Sequence, residues 1–231
     1  MSSTLFFEIT RGIFHLLLIL AVVIGTIRFR KLSFDQRILL CLLACTLVAE
    51  AVSVLLWHFK MNNNFVYHVY SVFEVFFLGT LYIRNLQGLL PAVYLKACIG
   101  LLGVFAMVNT LFFQSLKEFN SNVTFVESLL LIILSTLYFY KLLRDLEHRK
   151  LEREPMFWIN MSVLTYFSGA LLLFHVANEL LSLPEEERAA IWGTHALFNI
   201  IHYLLYGIAL WVKPLNSQNI TGSGKSEEII S

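Results

Sequence analysis

Seven long apolar segments, separated by short polar ones, run along the 231-residue chain. Each holds about 20 to 25 residues, so a helix rising about 1.5 Å per residue can cross a hydrocarbon layer about 30 Å thick. The alternation of apolar and polar residues typical of membrane β-strands is absent. The pattern predicts an all-α, polytopic membrane protein with seven transmembrane helices, at residues 5–27, 36–57, 65–84, 90–113, 122–143, 157–181 and 190–213.

This seven-helix transmembrane domain is predicted to occupy residues 1–213. Residues 214–231 are polar, contain glycine and lack an apolar period, so they are predicted to form a disordered cytoplasmic tail. The first apolar segment is interrupted by Glu8 and Arg11 and is too long for a signal peptide. We therefore expect it to be retained as a helix.

The composition supports a membrane class. Hydrophobic residues make up 58% of the chain, charged residues 14%, and the mean hydropathy is +0.71, which is more apolar surface than a soluble core can bury. The net charge is +1 and no basic face interleaved with aromatic residues is present, which argues against a nucleic-acid partner. The expected partner is the lipid bilayer of the cell membrane.

Basic residues predict the orientation of the helices. Of the 17 basic residues, 13 fall in the segments on one side of the predicted bundle. The other side holds Arg11, Lys60, Lys117 and Arg188. By the positive-inside rule, this bias predicts that the N-terminus lies outside and the C-terminus in the cytoplasm. Seven crossings give the same result, because an odd number places the two termini on opposite sides.

Nearly all ionisable side chains within the apolar segments fall in the predicted outer half of the bilayer. Such groups are costly in lipid, so they usually face the bundle interior or a cavity. Several recur three, four or seven residues apart and so share one helix face. The pattern predicts an outward-facing polar cavity for a small polar ligand, a proton or a cation, with the ligand-binding residues Glu8, Arg11, His15, Glu50, Tyr70, Glu74, Asn109, Glu127, Asn178 and Asn199.

The charges in this outer half are unbalanced, because a single arginine, Arg11, stands against five carboxylates. Five anions cannot all stay ionised at low dielectric. Some must be protonated, paired with protonated histidine, or neutralised by a bound cation. The five carboxylates are Glu8, Glu50, Glu74, Glu127 and Glu179.

A metal site is an alternative interpretation of the same region. His175 and Glu179 lie one helical turn apart, and His195 with His202 supplies further nitrogen ligands of the kind that zinc prefers. A zinc-bound water would permit hydrolysis of an amide or ester. This arrangement resembles the seven-helix ceramidases and adiponectin-receptor hydrolases, although Asn199 stands where their closing HxxxH-type pair has its second histidine.

Three functions remain open from the sequence, and whether the protein is an enzyme is uncertain. A sensor or receptor-like protein would signal through a cytoplasmic partner at the charged loop 141–155. A small-solute transporter would fit the two parallel three-helix units, a topology that resembles SWEET-type sugar transporters. Here, however, all four prolines lie at helix ends rather than within helices. An intramembrane metal-dependent hydrolase is the third possibility.

Two segments carry a family resemblance. FWINMSVLTYFSGALLLF at residues 157–174 and NNNFVYHVYSVFEVFFLG at residues 62–79 resemble small, uncharacterised seven-helix membrane proteins of Bacteroidota. The resemblance implies a multi-pass protein of the bacterial inner membrane. It implies no chemistry and assigns no functional residues.

Overall fold

The structure, a computed structural model, describes residues 2–145 and 151–213. This part of the chain is all-helical and contains no strand, so the predicted all-α class is confirmed. The predicted tail and residues 146–150 of the charged loop lie outside the described residues. The helices are α1 (Ser3–Ile27), α2 (Phe34–His58), α3 (Asn64–Asn85), α4 (Ala92–Phe112), α5 (Ser121–Arg144), α6 (Pro155–His175) and α7 (Glu185–Trp211).

Local signals in the sequence set several helix ends. The Ser2 hydroxyl accepts a hydrogen bond from the backbone N–H of Leu5 and caps α1. Ser33 and Gln36 form a reciprocal capping box at the start of α2. Pro155 occupies the first turn of α6, where its missing N–H costs nothing. The sixth helix ends at His175, six residues earlier than the apolar segment predicts.

Among the described residues, α1 to α6 are long and apolar enough to cross a membrane, which is consistent with a multi-pass integral membrane protein. The sequence predicts seven such helices, and the structure gives six. α7 has 27 residues but falls short in apolarity, because it starts with a charged turn and carries His195, Asn199 and His202 within its length. Mean hydropathy cannot distinguish a polar face that lines a bundle interior from one that faces lipid.

Six helices form a closed ring in the order α1, α2, α3, α5, α6 and α7, and α4 packs outside it against α3 and α5. The contact between α1 and α7 closes the ring. It is close because α7 presents Gly193 to α1, where an added Cβ atom would lie 2.6 Å from the ring of Phe6. Small residues at such crossings let helix backbones approach in membrane proteins.

The two ends of the ring differ. We call the end where α1, α3, α5 and α7 begin the open end, and the opposite one the closed end. Across the middle of the ring lies a layer of fully or almost fully buried aliphatic side chains, which we call the aliphatic floor. Its members are Leu18, Leu43, Leu78, Leu131 and Val163, from five different helices.

Beyond the aliphatic floor, buried hydrogen bonds tie the helices together at the closed end. The Tyr82 hydroxyl of α3 donates to Oδ1 of Asn160 in α6 over 2.8 Å, and Nδ2 of Asn160 donates to the backbone carbonyl of Ser135 in α5. Nε2 of the fully buried Gln36 donates to the carbonyl of Ala209 in α7. These bonds satisfy polar groups that lipid would leave unpaired, so they stabilise the closed end.

Replacing Tyr82 by phenylalanine tests this network. The Tyr82→Phe variant leaves Oδ1 of Asn160 without a donor and should lose about 0.6 to 1.7 kcal/mol of unfolding free energy. The thermal unfolding midpoint in detergent should then fall by about 1 to 7 °C. The matched control is Tyr140→Phe, because Tyr140 is 57% exposed. Equal midpoints for both variants would contradict the role given to the Tyr82 hydroxyl.

Candidate functional site

A cavity of about 600 Å³ lies inside the ring at its open end. All six ring helices contribute side chains to its wall, and α4 contributes none. This volume is within the range of about 300 to 1,000 Å³ that is usual for small-molecule sites. In each of α1, α2, α3, α5 and α6, the aliphatic floor begins one helical turn beyond the deepest cavity-lining residue.

The mouth of the cavity carries paired charges. Nη2 of Arg11 lies 2.7 Å from Oε2 of Glu8, one turn earlier on α1. The Arg11 guanidinium also lies 5.3 Å from the ring centroids of both Phe7 and Trp57. Arg11 is therefore already occupied by a carboxylate and two aromatic rings.

Halfway down, α1 and α2 are joined across the cavity wall. Nε2 of His15 lies 3.2 Å from Oε2 of Glu50. Nδ1 of the same ring lies 2.9 Å from the backbone carbonyl of Arg11, which fixes the orientation of the imidazole. On the neighbouring wall, the hydroxyls of Ser53 and Tyr67 are 3.0 Å apart. Glu50 thus has a partner that can carry positive charge.

The deep end of the cavity holds two carboxyl groups, those of Glu74 on α3 and Glu127 on α5. The Tyr70 hydroxyl donates to Oε1 of Glu74 over 3.0 Å and lies 3.0 Å from the Thr46 hydroxyl. Glu127 is 0% exposed, and its carboxyl group makes a hydrogen-bonding contact with that of Glu74 and with no other described residue. In the described part of the chain, no lysine, arginine or histidine forms an ion pair with either group.

Histidines and aromatic rings form the wall between α6 and α7. Nε2 of His195 lies 3.3 Å from the Tyr166 hydroxyl, and Nδ1 lies 3.3 Å from Nδ2 of Asn199. The Ser162 hydroxyl donates a hydrogen bond to the backbone carbonyl of His202, and its oxygen also lies 2.9 Å from Nδ1 of His202. Nε2 of His195 and Nδ1 of His202 therefore join α7 to α6, whereas Nδ1 of His195 makes its contact within α7.

Most of the residues predicted to bind a ligand line this one cavity. Of the predicted set, Asn109 and Asn178 do not line it. The residues that line the cavity remain predicted ligand-binding residues. The cavity-lining members are Glu8, Arg11, His15, Glu50, Tyr70, Glu74, Glu127 and Asn199.

Asn109 and Asn178 instead hold the connection between α4 and α5. The Asn109 side chain bonds Gln114 and Asn122 at 2.9 Å each. Oδ1 of Asn178 accepts the backbone N–H of Phe119 over 2.9 Å, and Nδ2 donates to the carbonyl of the same residue over 3.0 Å. These contacts place the Phe119 ring in the cavity wall, against Phe174 and Trp192.

The four predicted zinc ligands do not come together. His195 and His202 line the cavity, whereas His175 and Glu179 are exposed outside it, and the His175 ring packs against Phe125. The residues that the structure describes contain no group of three or more histidine, cysteine or acidic side chains arranged to hold a metal ion. The spacing of His175 and Glu179 is helical, but their face of α6 and the following turn points away from the ring.

The sequence prediction omitted the aromatic part of the site. Besides Tyr70, nine aromatic side chains line the cavity beside the carboxyl groups and histidines. Helical spacing signals some of them, since Trp192, His195 and Asn199 lie on one face of α7. No periodicity marks Phe119, which lies in a loop. The nine residues are Phe7, Phe14, Trp57, Tyr67, Phe119, Tyr166, Phe174, Trp192 and Tyr203.

No family model matches the chain, and neither the curated proteins nor the solved structures contain a significant match to it. Function therefore has to be argued from the geometry of this cavity.

The two hydrogen bonds between Asn178 and the Phe119 backbone predict how fast the Phe119 amide exchanges when Asn178 is replaced. In Asn178→Ala the backbone N–H of Phe119 loses its acceptor, and the Phe119 carbonyl loses one of its donors but still accepts the Ser121 N–H. Each lost bond is worth about 0.5 to 1.5 kcal/mol, so the Phe119 amide should exchange with deuterium about 5- to 100-fold faster. Hydrogen–deuterium exchange read by mass spectrometry measures this rate. Ser182→Ala is the control, because its hydroxyl bonds only Glu179 within the same short turn. Unchanged exchange at Phe119 in Asn178→Ala would contradict the assignment.

Proposed function

We propose that this protein is a receptor-like integral membrane protein that binds a small polar or positively charged ligand in the cavity at its open end. The carrying observation is Glu127, a fully buried carboxyl group in the cavity wall whose one hydrogen-bonding partner among the described residues is a second carboxyl group, that of Glu74. Burying two adjoining carboxyl groups is costly, and such groups cluster at functional sites, where a ligand can supply positive charge. In this proposal α7 crosses the membrane with the other six helices, and the open end faces outward in a bacterial inner membrane.

The packing of the closed end favours a receptor over a transporter. A transported solute has to pass the aliphatic floor and then the buried bonds of Tyr82, Asn160 and Gln36. Transporters usually carry broken helices near the midplane, where the substrate binds. Here each ring helix runs unbroken through that depth. The aliphatic floor lies at the deep end of the cavity, which suits a site that binds and releases from the same side.

A route from the cavity to the closed end supports signalling. Glu74 and Glu127 belong to α3 and α5, so a ligand between them changes the relation of these two helices. At the closed end, Nζ of Lys141 on α5 donates to the carbonyl of Asn85 at the end of α3 over 2.8 Å. Segment 141–155 follows directly, and we propose it as the docking surface for a cytoplasmic partner. A movement of α5 against α3 would therefore shift both the contact of Lys141 with Asn85 and the start of segment 141–155.

A ligand screen on the full-length protein in detergent tests the proposal. Amines, carboxylates, sugars and inorganic cations are added in turn, and the thermal unfolding midpoint is measured. At about 100 times its dissociation constant, a ligand stabilises by about 2.7 kcal/mol, which is about 5 to 11 °C for a chain of this size. We expect at least one class to raise the midpoint, and the same compound to have no effect on Ala196→Phe.

Ala196 lines the cavity, so a phenylalanine there fills space that the ligand needs. Ala51→Phe is the matched control, because Ala51 is exposed on the outer surface of α2 and should leave ligand stabilisation intact. If Ala196→Phe does not fold, Asn199→Leu serves as the second cavity variant. Stabilisation by no compound class, or stabilisation that survives in both cavity variants, would contradict ligand binding at this site.

A further inference from the structure

We propose that the ligand is a protonated primary or secondary amine, with its ammonium group between Glu74 and Glu127 and an apolar or aromatic body against the rings above them. This assignment rests on the proposed function and specifies its ligand class. Three features of the cavity point to it: its unpaired charge, its free acceptors and its aromatic walls.

The charge argument concerns the deep end alone. Glu8 is paired with Arg11 at the mouth, and Glu50 with His15 halfway down. Glu74 and Glu127 are left side by side with no basic partner in the described part of the chain. Two neighbouring carboxyl groups away from water repel each other unless a proton or a bound cation lies between them. A cationic ligand supplies that charge, and an anionic ligand would add to the repulsion.

The acceptors narrow the kind of cation. Apart from the contact between the two carboxyl groups, Glu127 has no hydrogen-bond partner among the described residues, whereas Glu74 also accepts the Tyr70 hydroxyl at one oxygen. A carboxylate with free lone pairs is best matched by a cation that carries N–H donors, because charge-assisted hydrogen bonds are about twice as strong as neutral ones. A quaternary ammonium group has no N–H and cannot satisfy Glu127. The site therefore favours an amine that keeps two or three N–H bonds.

The described residues of the cavity wall do not supply the ligand set of a metal ion, and they favour a ligand with an apolar or aromatic organic part. Calcium takes about 6 to 8 oxygen ligands, and magnesium about 6 in a strict octahedron. The described residues bring no three metal-ligating side chains together. Instead, a cavity of about 600 Å³ surrounds the carboxyl pair with aromatic rings, including Tyr166, Phe119 and Trp192. Such rings attract cations through their faces and bury the apolar part of an amine.

The arrangement of the rings fits a ligand that enters through the mouth with its amine leading. Phe119 stacks on Phe174 with ring centroids 6.1 Å apart and meets Trp192 at 6.0 Å. The Tyr166 ring lies deeper in the cavity, and its centroid is 4.5 Å from the centroid of the His202 ring. The apolar body of the ligand would lie against these rings, above the carboxyl pair.

Calorimetric titration of the full-length protein in detergent tests the assignment. The probes are a series of primary amines from ethylamine to octylamine, with 2-phenylethylamine, 2-phenylethanol and trimethyl(2-phenylethyl)ammonium. We expect at least one amine of the series to bind. For 2-phenylethylamine, the neutral alcohol and the quaternary analogue should each bind about 10-fold more weakly or worse, since each lacks a charge-assisted bond to Glu127.

The variant Glu127→Gln keeps the shape of the side chain and cannot ionise. It should lose amine affinity by about 10-fold or more while its thermal unfolding midpoint stays equal or rises, because the glutamine amide can donate to Glu74 in place of a carboxyl proton. A purely structural role for Glu127 predicts a lower midpoint instead. Glu179→Gln is the matched control, since Glu179 is exposed outside the cavity. Should Glu127→Gln fail to fold, Glu74→Gln takes its place.

The outcomes separate this inference from the proposed function. Alcohol binding as tight as amine binding, or full amine affinity in Glu127→Gln, overturns the amine assignment. If no amine binds but a sugar, a carboxylate or an inorganic cation stabilises the protein in an Ala196-dependent manner, the amine assignment fails and the receptor proposal stands. If no compound of any class binds, both fail.

Discussion

The burial of the Glu127 carboxyl group is the constraint on which the rest of the arrangement depends. Lipid offers a charged side chain no hydration, so such a group has to turn into the ring. It is fully buried there, and its one hydrogen-bonding partner among the described residues is the carboxyl group of Glu74. A bundle built only for stability would replace it with an apolar residue, because two adjoining carboxyl groups with no basic partner weaken folding when they are buried. Its presence makes sense if the cavity exists to bind something positive.

The two ends of the ring use polar groups in opposite ways. At the closed end, Asn160, Tyr82 and Gln36 are buried with their hydrogen bonds satisfied by neighbouring helices. At the open end, carboxyl groups and aromatic rings surround the cavity. Satisfied polar groups hold helices together. The aliphatic floor separates these two regions and keeps water from passing between them.

Hydropathy and helical spacing predicted the seven helices and the side of the bundle that carries the cavity, because lipid forces polar faces inward. They could not say what each polar side chain contacts. Asn178 matches the spacing of a site residue, yet its amide holds the Phe119 backbone. His175 and Glu179 share a helical period but face away from the ring, so no zinc set forms with His195. The partner that each polar side chain contacts depends on how its helix is rotated and on the path of the loops. Helical spacing in one sequence determines neither.

The most direct test of the one-ended cavity is cysteine accessibility along one face of α2. Ser53, Thr46 and Leu39 lie seven residues apart, the first two in the cavity wall and the third fully buried beyond the aliphatic floor. Each is changed to cysteine in a background without Cys41, Cys45 and Cys98, and intact cells are treated with a membrane-impermeant cationic methanethiosulfonate. The account predicts rapid modification of Ser53→Cys and Thr46→Cys and protection of Leu39→Cys. Protection of Thr46→Cys, or equal reaction at all three positions, would contradict it.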